Sequence, residues 1–186
     1  ELVSVIPCTD KDNVLLATRL GKAIRFDVND VRVFVGRGSS GVRGIKLKPN
    51  DYVVSMSLIP NLEKRYILSV TENGFGKRSP IEDYRMTNRG GQGVANIECS
   101  ERNGPVVASY VASEDDQIML VTNSGKLIRI RVHGGEGDSI RVAGRKTQGV
   151  RLFDVDDEEK VVSVALLTES DEDENPSQDN NTVATD

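Results

Sequence analysis

The chain has 186 residues, no tryptophan and only 4% aromatic residues. No apolar run approaches the roughly 18 residues that a membrane-spanning helix needs, and no secretory leader pattern opens the chain, so we expect a soluble, cytoplasmic protein without a membrane partner. The formal charge of −5 is unevenly distributed, because residues 169–186 contain seven acidic residues and no basic one, which leaves residues 1–168 with a net charge of +2.

The chain opens on a short aliphatic run, LVSVI, at residues 2–6. The same kind of run recurs at Val53 (VVSMSLI), Val106 (VVASYV) and Val161 (VVSVALL), each time at the end of a longer unit. Runs of four to seven valine, isoleucine and leucine residues bounded by turn residues indicate β-strands. We therefore predict that residues 1–11 contain the closing strand of a preceding unit, and that the chain is part of a longer repeat protein.

Three similar units follow, over residues 12–62, 63–113 and 114–168. Each unit has an aliphatic run ending in threonine, a turn with a Gly-Lys pair, a loop ending in Gly-Val, and the closing run. The Gly-Val pairs begin at Gly41, Gly93 and Gly149, at separations of 52 and 56 residues. A period of about 50 residues with four short strands fits one blade of a propeller-like array. We predict an all-β fold with about three four-stranded blades.

Three local patterns refine this prediction. The segment KLIRIRV at residues 126–132 alternates, which puts Ile128, Ile130 and Val132 on one face of a strand. Residues 44–47 are typical of a strand, and residues 29–34 could form a single helical turn. Residues 169–186 are acidic and poor in apolar side chains, so we predict a disordered tail that either aids solubility or competes with anions for the basic body.

A glycine-rich loop in the first unit, VGRGSSGVRG, raises a different possibility. Gly36, Gly38 and Gly41 fit the G-x-G-x-x-G spacing of a dinucleotide-binding loop. That site requires a helix directly after the loop and an acidic residue about 20 residues further on. A strand-like segment follows instead, and the other two units do not keep the glycine spacing. We predict no bound cofactor, no metal site and no catalytic residue, since ligand spacings and nucleophile sets are missing.

Basic residues, in contrast, recur in all three units. Lys22, Lys77 and Lys126 follow a turn glycine, Arg32, Arg85 and Arg141 precede the loop, and Arg37, Arg89 and Arg145 lie inside it. Arg43, Arg78, Arg129 and Lys146 lie beside these positions and complete the predicted set. Solvated surface charge is the alternative explanation. If blades are arranged radially, equivalent positions share one rim, and a basic rim suits duplex DNA, whose phosphates give affinity without sequence readout.

Long segments of the chain resemble a known family. GKAIRFDVNDVRVFVGRGSSGVRGIKL, NGFGKRSPIEDYRMTNRGGQGVANIECSERNG and DQIMLVTNSGKLIRIRV are similar to the C-terminal domain of DNA gyrase A, and the resemblance covers residues 1–168. It implies a β-pinwheel, a six-bladed disc with strands exchanged between blades, of which this chain would be the last three. It also implies DNA wrapping that supports negative supercoiling by an ATP-dependent topoisomerase, with the rest of gyrase A and with gyrase B as partners, in the bacterial cytoplasm near the nucleoid.

Two departures from the family pattern limit this inference. The family's basic box, Q-R-R-G-G-K-G, belongs to the first blade, and residues 88–93 (NRGGQG) form only a degenerate copy of it. The catalytic tyrosine of the family lies in a separate domain, so we expect no enzymatic activity from this chain alone. The related domain of topoisomerase IV and a propeller-like scaffold for protein interactions remain alternatives.

Overall fold

The structure is a computed structural model that describes residues 2–60, 65–135, 139–156 and 158–168. The described residues form eleven strands and two single-turn 3₁₀ helices, Val28–Asp30 and Ile81–Asp83. The strands are β1 (Asn13–Thr18), β2 (Lys22–Asp27), β3 (Val53–Ile59), β4 (Tyr66–Thr71), β5 (Phe75–Pro80), β6 (Val94–Ala95), β7 (Val106–Ala112), β8 (Gln117–Thr122), β9 (Leu127–Arg131), β10 (Val150–Arg151) and β11 (Val161–Leu167).

Each sequence unit builds the same antiparallel core of a sheet. A hairpin, β1–β2, β4–β5 or β8–β9, is followed by a closing strand, β3, β7 or β11, that returns to pair with the first strand of the hairpin. In all three sheets the register of the closing strand shifts beside the threonine that ends the first strand, at Thr18, Thr71 and Thr122. The predicted repeat therefore corresponds to a repeated sheet.

Adjacent units exchange one short strand. β6, from the second unit, pairs with β2 of the first, where Lys22 lies opposite Ala95. β10, from the third unit, pairs in the same way with β5, where Gly76 lies opposite Val150. The first two sheets thus have four strands, in the orders β3-β1-β2-β6 and β7-β4-β5-β10, and the third has three described strands, β11-β8-β9. Blade limits at residues 62, 113 and 168 stay predictions, since exchange mixes neighbouring units.

The closing strands lie together at one edge of the three sheets. β3 packs against β7 and β7 against β11, whereas β6 and β10 lie at the opposite edge of their sheets. Buried aliphatic side chains fill the space between consecutive sheets, including Leu15, Ile67, Leu68 and Ile118. This arrangement gives the molecule an inner edge of closing strands and an outer edge of exchanged strands and loops.

A buried polar network joins the first two units. The Ser55 hydroxyl donates to the Ser109 carbonyl at 2.9 Å and accepts from the Ser109 amide at 3.0 Å. The Asn96 side chain donates to the Ser109 hydroxyl at 2.9 Å and accepts from the Ser69 hydroxyl and, at 2.7 Å, from Tyr84. Because unpaired polar groups are costly in a core, this set of bonds fixes the relative positions of the two sheets.

Several local predictions need correction. Residues 2–6 form no strand in the structure, and Leu2 and Val5 are exposed, so the predicted closing strand in residues 1–11 has no strand partner among the described residues. Residues 44–47 are not a strand either, although their backbone bonds to residues 90 and 91. The helical turn begins at Val28 and is only three residues long.

Other predictions are confirmed or fall outside the described residues. Ile128, Ile130 and Val132 are the more buried side chains of their segment, as the alternation predicted. The predicted acidic tail, residues 169–186, lies outside the described residues. No helix in the described part of the chain has the length and apolar character to cross a membrane.

Candidate nucleic-acid interface

The strand pairing gives the true equivalence of the three hairpins. Leu15, Leu68 and Met119 hold the same place in their strands, and they lie opposite Arg25, Arg78 and Arg129 respectively. The turn glycines are then Gly21, Gly74 and Gly125, all with positive φ. The residues that follow these glycines are Lys22, Phe75 and Lys126. Lys77 lies two residues further along its strand, so its predicted equivalence with Lys22 and Lys126 is wrong.

Lys77 points into the protein instead of toward solvent. Its side chain is 1% exposed, and its ammonium donates to the Ser79 hydroxyl at 2.8 Å and to the Gly144 carbonyl at 2.7 Å. Burial, together with the nearby charge of Arg145, lowers the pKa of Lys77 to about 8. Lys77 therefore cannot reach a ligand at the surface, and its place in the predicted basic set is not supported.

Arg78 is also an internal residue, at 5% exposure. Its Nε donates to the Ile140 carbonyl at 2.7 Å, its guanidinium lies 4.9 Å from the centre of the Tyr66 ring, and it is 3.4 Å from a Glu114 carboxylate oxygen. These contacts connect the second sheet to the segment before the third loop. The presence of an arginine at position 78 is therefore explained by packing and not by ligand binding.

The equivalent residue of the first unit, Arg25, was missed by the sequence analysis. Its guanidinium donates to the Asn13 side chain at 2.7 and 3.0 Å and to the Ile81 and Tyr84 carbonyls. It therefore links the first unit to the second, as Arg78 links the second to the third. Counting from the turn glycine, rather than matching Gly-Lys pairs, would have aligned the two arginines.

Lys126 lies at the surface, but it is paired with acidic residues. Its ammonium is 3.0 Å from Asp156 and 2.7 Å from Glu159. Hydrogen bonds from Lys126, Ser124 and Thr122 lower the pKa of Glu159 to about 2, so this carboxylate stays ionised beside the lysine. The positive charge of Lys126 is thus largely neutralised locally.

Two loop arginines make the same contact across successive unit boundaries. Arg89, in the loop of the second unit, donates to the carbonyl of Arg43 in the first unit. Arg145, in the loop of the third, donates to the carbonyl of Ala95 in the second at 2.8 Å. Arg43 and Ala95 both follow a Gly-Val pair, so they are equivalent. The recurrence of these arginines reflects bracing between blades, in addition to any role of their charge.

The loops themselves adjoin in series. The Gly90 amide donates to the Gly44 carbonyl at 2.7 Å, and the Lys46 amide donates to the Gly91 carbonyl at 2.8 Å. The Glu98 amide donates to the Thr147 carbonyl at 3.0 Å. We use the name rim loops for residues 36–48, 88–98 and 141–149. The second rim loop contains β6, the third leads directly into β10, and the first is bonded to the second. The rim loops therefore lie at the outer edge, away from the closing strands.

Exposed basic side chains are concentrated on and beside the rim loops. Lys22, which is half-buried, lines one recess with Lys46 and Lys48 and a second one, of about 380 Å³, with Lys146 from the third unit. The exposed members of the predicted set on the rim loops are Arg37, Arg43, Arg141 and Lys146, and Arg32 and Arg85 are exposed in the segments that lead into the first two rim loops. Arg129 is also exposed, on β9. The structure thus brings most, but not all, of the predicted cations to one region.

The glycines of the rim loops have a structural role. Gly93 has φ +69°, and a Cβ there would lie 2.4 Å from the Ala23 carbonyl oxygen. Gly149 has φ +78°, and a Cβ there would lie 2.6 Å from the Gly76 carbonyl oxygen. Only glycine fits where the exchanged strand begins so close to its neighbour. Gly36 and Gly38 lie in open space, and no helix follows them, so the loop is not a dinucleotide-binding element.

No group of metal-ligating side chains is present in the part of the chain that the structure describes. His133 is exposed, and its Nδ1 lies 2.7 Å from the Ser139 hydroxyl. This contact involves no second ligating or catalytic residue.

Comparisons with known proteins agree with the repeat structure. The family model described as DNA gyrase C-terminal domain, beta-propeller, matches residues 12–60, 65–111 and 116–168. DNA gyrase A of Rickettsia prowazekii (strain Madrid E) is 39% identical in an alignment that covers 96% of this chain and 24% of that protein. DNA gyrase A of Klebsiella oxytoca is 42% identical over 174 aligned residues, which cover 94% of this chain and 19% of that protein.

Solved structures give the same assignment of the fold. The DNA gyrase A C-terminal domain superposes with a TM-score of 0.76 at 30% identity, covering 87% of this chain and 52% of that one. The C-terminal domain of DNA topoisomerase IV superposes with a TM-score of 0.75 at 29% identity, covering 84% and 47%. The chain spans about a quarter or less of its curated relatives and about half of the solved domains. Because all three sheets and the strand exchange fit this β-pinwheel fold, and the family model matches all three units, the chain belongs to the DNA gyrase C-terminal domain family.

Proposed function

We propose that this chain binds, bends and wraps duplex DNA through contacts between the rim loops and the phosphate backbone. The observation that carries the proposal is the serial contact of the rim loops at the outer edge, with exposed cations contributed by all three units. A curved row of cations matches a bent polyanion, and contacts to phosphates fix position without reading sequence.

The energetics of wrapping require several contacts. Bending 20 to 30 base pairs through 40 to 90° costs about 1–6 kcal/mol, which contacts along the rim must offset. Neutralising each phosphate releases counterions and adds about 0.9 to the slope of log affinity against log salt. Binding by the rim loops should therefore be strong at low salt, weak at high salt, and similar for unrelated sequences.

The structure revises the residues to which we assign this role. We keep Lys22, Arg32, Arg37, Arg43, Arg85, Arg89, Arg141, Arg145 and Lys146, and we add Lys46 and Lys48. We remove Lys77 and Arg78 because they are buried, and we assign only a minor part to Lys126 because two carboxylates neutralise it. Arg129 stays a candidate at the edge of the third sheet.

In the full-length protein we propose that DNA wrapping by this chain supports negative supercoiling by DNA gyrase. The remaining part of gyrase A, together with gyrase B, would supply strand cleavage and ATP hydrolysis, in the bacterial cytoplasm. Similarity to the topoisomerase IV domain supports DNA contact equally well, so the supercoiling part needs its own test. The full-length enzyme should introduce negative supercoils into relaxed plasmid DNA. An enzyme that only relaxes supercoiled DNA would contradict the proposed role in supercoiling.

The contact surface itself is tested by Arg43→Glu, which reverses one exposed charge on a rim loop. The matched control is the double variant Ser163→Glu/Ala165→Glu, which changes the net charge equally on β11 at the inner edge, where both residues are exposed. In gel-shift titrations across salt concentrations, Arg43→Glu should weaken binding to all duplexes and reduce the salt slope by about 1. Equal weakening by the control would mean that net charge, and not the rim loops, determines binding.

A further inference from the structure

A second cluster of basic residues lies between the second and third sheets, outside the rim loops and outside the predicted set. The guanidinium groups of Arg102 and Arg151 lie 5.0 and 5.6 Å from the centre of the same ring, that of Phe75. Lys160 lines the same cavity, which has a volume of about 180 Å³. Three cations from three separate segments of the chain therefore converge on one small polar recess.

The recess lies at the same place in the second hairpin as the recess beside Lys22 in the first. Phe75 follows the turn glycine of the second hairpin, as Lys22 does in the first. The recess beside Lys22 is lined by Lys146, whereas the recess beside Phe75 is lined by Arg102 and Arg151. The second unit thus has Phe75 where the first unit has Lys22. Its positive charge at this place comes instead from Arg102 and Arg151, which contact the Phe75 ring.

The charges of the cluster are only partly balanced within the protein. Arg151 donates to the Asp154 carboxylate, and Lys160 donates to the Asn73 side-chain oxygen at 2.8 Å. Asp156 also lines the cavity, and its carboxylate is 3.0 Å from the Lys126 ammonium. Arg102 forms no ion pair with any of the described residues. Arg102 and Arg151 both line the cavity, so an anion bound there would lie close to two guanidinium groups.

We propose that Arg102, Arg151 and Lys160 form a phosphate-binding pocket beside Phe75. Guanidinium groups present parallel N–H donors that match the oxygens of a phosphate, and contact with an aromatic face restricts their side chains in advance. The cavity has room for several water molecules, at about 30 Å³ each, or for one tetrahedral oxyanion. The phosphate could belong to duplex DNA, in which case the inference rests on the proposed function, or be a free anion.

The test uses the whole chain, the double variant Arg102→Gln/Arg151→Gln, and two probes, inorganic phosphate and generic duplex DNA. Ser163→Glu/Ala165→Glu again provides a control with the same change in net charge. The salt slope of DNA binding should fall by about 1 in the pocket variant, because one phosphate is no longer neutralised, and stay unchanged in the control. Phosphate should shift the arginine Nε–Hε NMR signals of the parent protein, and these shifts should be absent from the pocket variant.

The two probes distinguish the source of the phosphate. A reduced slope without shifts from inorganic phosphate indicates a phosphodiester of DNA, and shifts without a reduced slope indicate a free anion. An unchanged slope together with no phosphate shifts overturns the proposal. If the parent chain does not bind DNA at all, the proposed function fails while the phosphate titration still decides the pocket. Arg102→Lys/Arg151→Lys should retain the slope, which separates charge from lost packing.

Discussion

Lys77 shows that a basic residue in a repeated sequence motif can be an internal packing residue. Its ammonium bonds to Ser79 and to the carbonyl of Gly144, directly before Arg145 in the third loop. A buried lysine that holds a loop from the next unit contributes to the shape of the rim without touching a ligand. Sequence periodicity alone could not distinguish this role, because the hydrogen-bond partner comes from another unit.

The buried charge of Lys77 predicts a specific pH dependence of stability. The pKa of Lys77 is lowered to about 8 in the folded protein, from an ordinary value of 10.5. Between these values the unfolded chain binds the proton more tightly, so the free energy of unfolding should rise as pH increases from about 8 toward 10. Lys77→Met should abolish this rise in urea unfolding experiments between pH 7.5 and 9.5.

Lys22→Met is the control for this prediction, since it removes the same side chain from a half-buried position at the outer edge. The control protein should keep the rise in stability. A rise of the same size in Lys77→Met would show that another group causes it.

At the scale of elements, the sequence predicted the repeats, the strand-rich character and the closing runs at Val53, Val106 and Val161. These features could be predicted because aliphatic runs and Gly-Val pairs repeat with an almost constant period. The period does not reveal that Lys77 is out of register with Lys22 and Lys126. Two residues, Phe75 and Gly76, separate Lys77 from the turn glycine of its hairpin. Arg151 follows a Gly-Val pair as Arg43 does, but it was missed because the unit between them has Ala95 at this position. Arg102 was missed because a search for periodic cations ignores a basic residue that one unit alone contains.

The exchange of short strands between units predicts a strong effect of a small substitution. Gly93→Ala would place a methyl group 2.4 Å from the Ala23 carbonyl oxygen at φ +69°. We expect a loss of at least about 1–2 kcal/mol in unfolding free energy, from the left-handed backbone alone. Chemical denaturation measures this loss.

Gly38→Ala is the matched control, because a Cβ at Gly38 meets nothing within 4 Å and its φ lies outside the left-handed region. It should be neutral or slightly stabilising. Equal destabilisation by both substitutions would contradict the view that the start of β6 depends on close backbone approach.

At the scale of the whole molecule, three sheets with their closing strands together present loops from all units at the opposite edge. Arg89 and Arg145 brace these loops against the preceding unit, so stability and surface charge depend on the same side chains. This dual use is the reason why we place the decisive substitution at Arg43, whose side chain is exposed, and not at the bracing arginines.

The most direct test of the account is the salt dependence of binding between this chain and several duplexes of unrelated sequence. If the rim loops neutralise about five phosphates, log affinity should fall linearly with log salt between 50 and 200 mM, with a slope of about −4.5. The duplexes should bind with similar affinities at each salt concentration. Binding confined to one sequence, or an affinity that does not change with salt, would contradict the account.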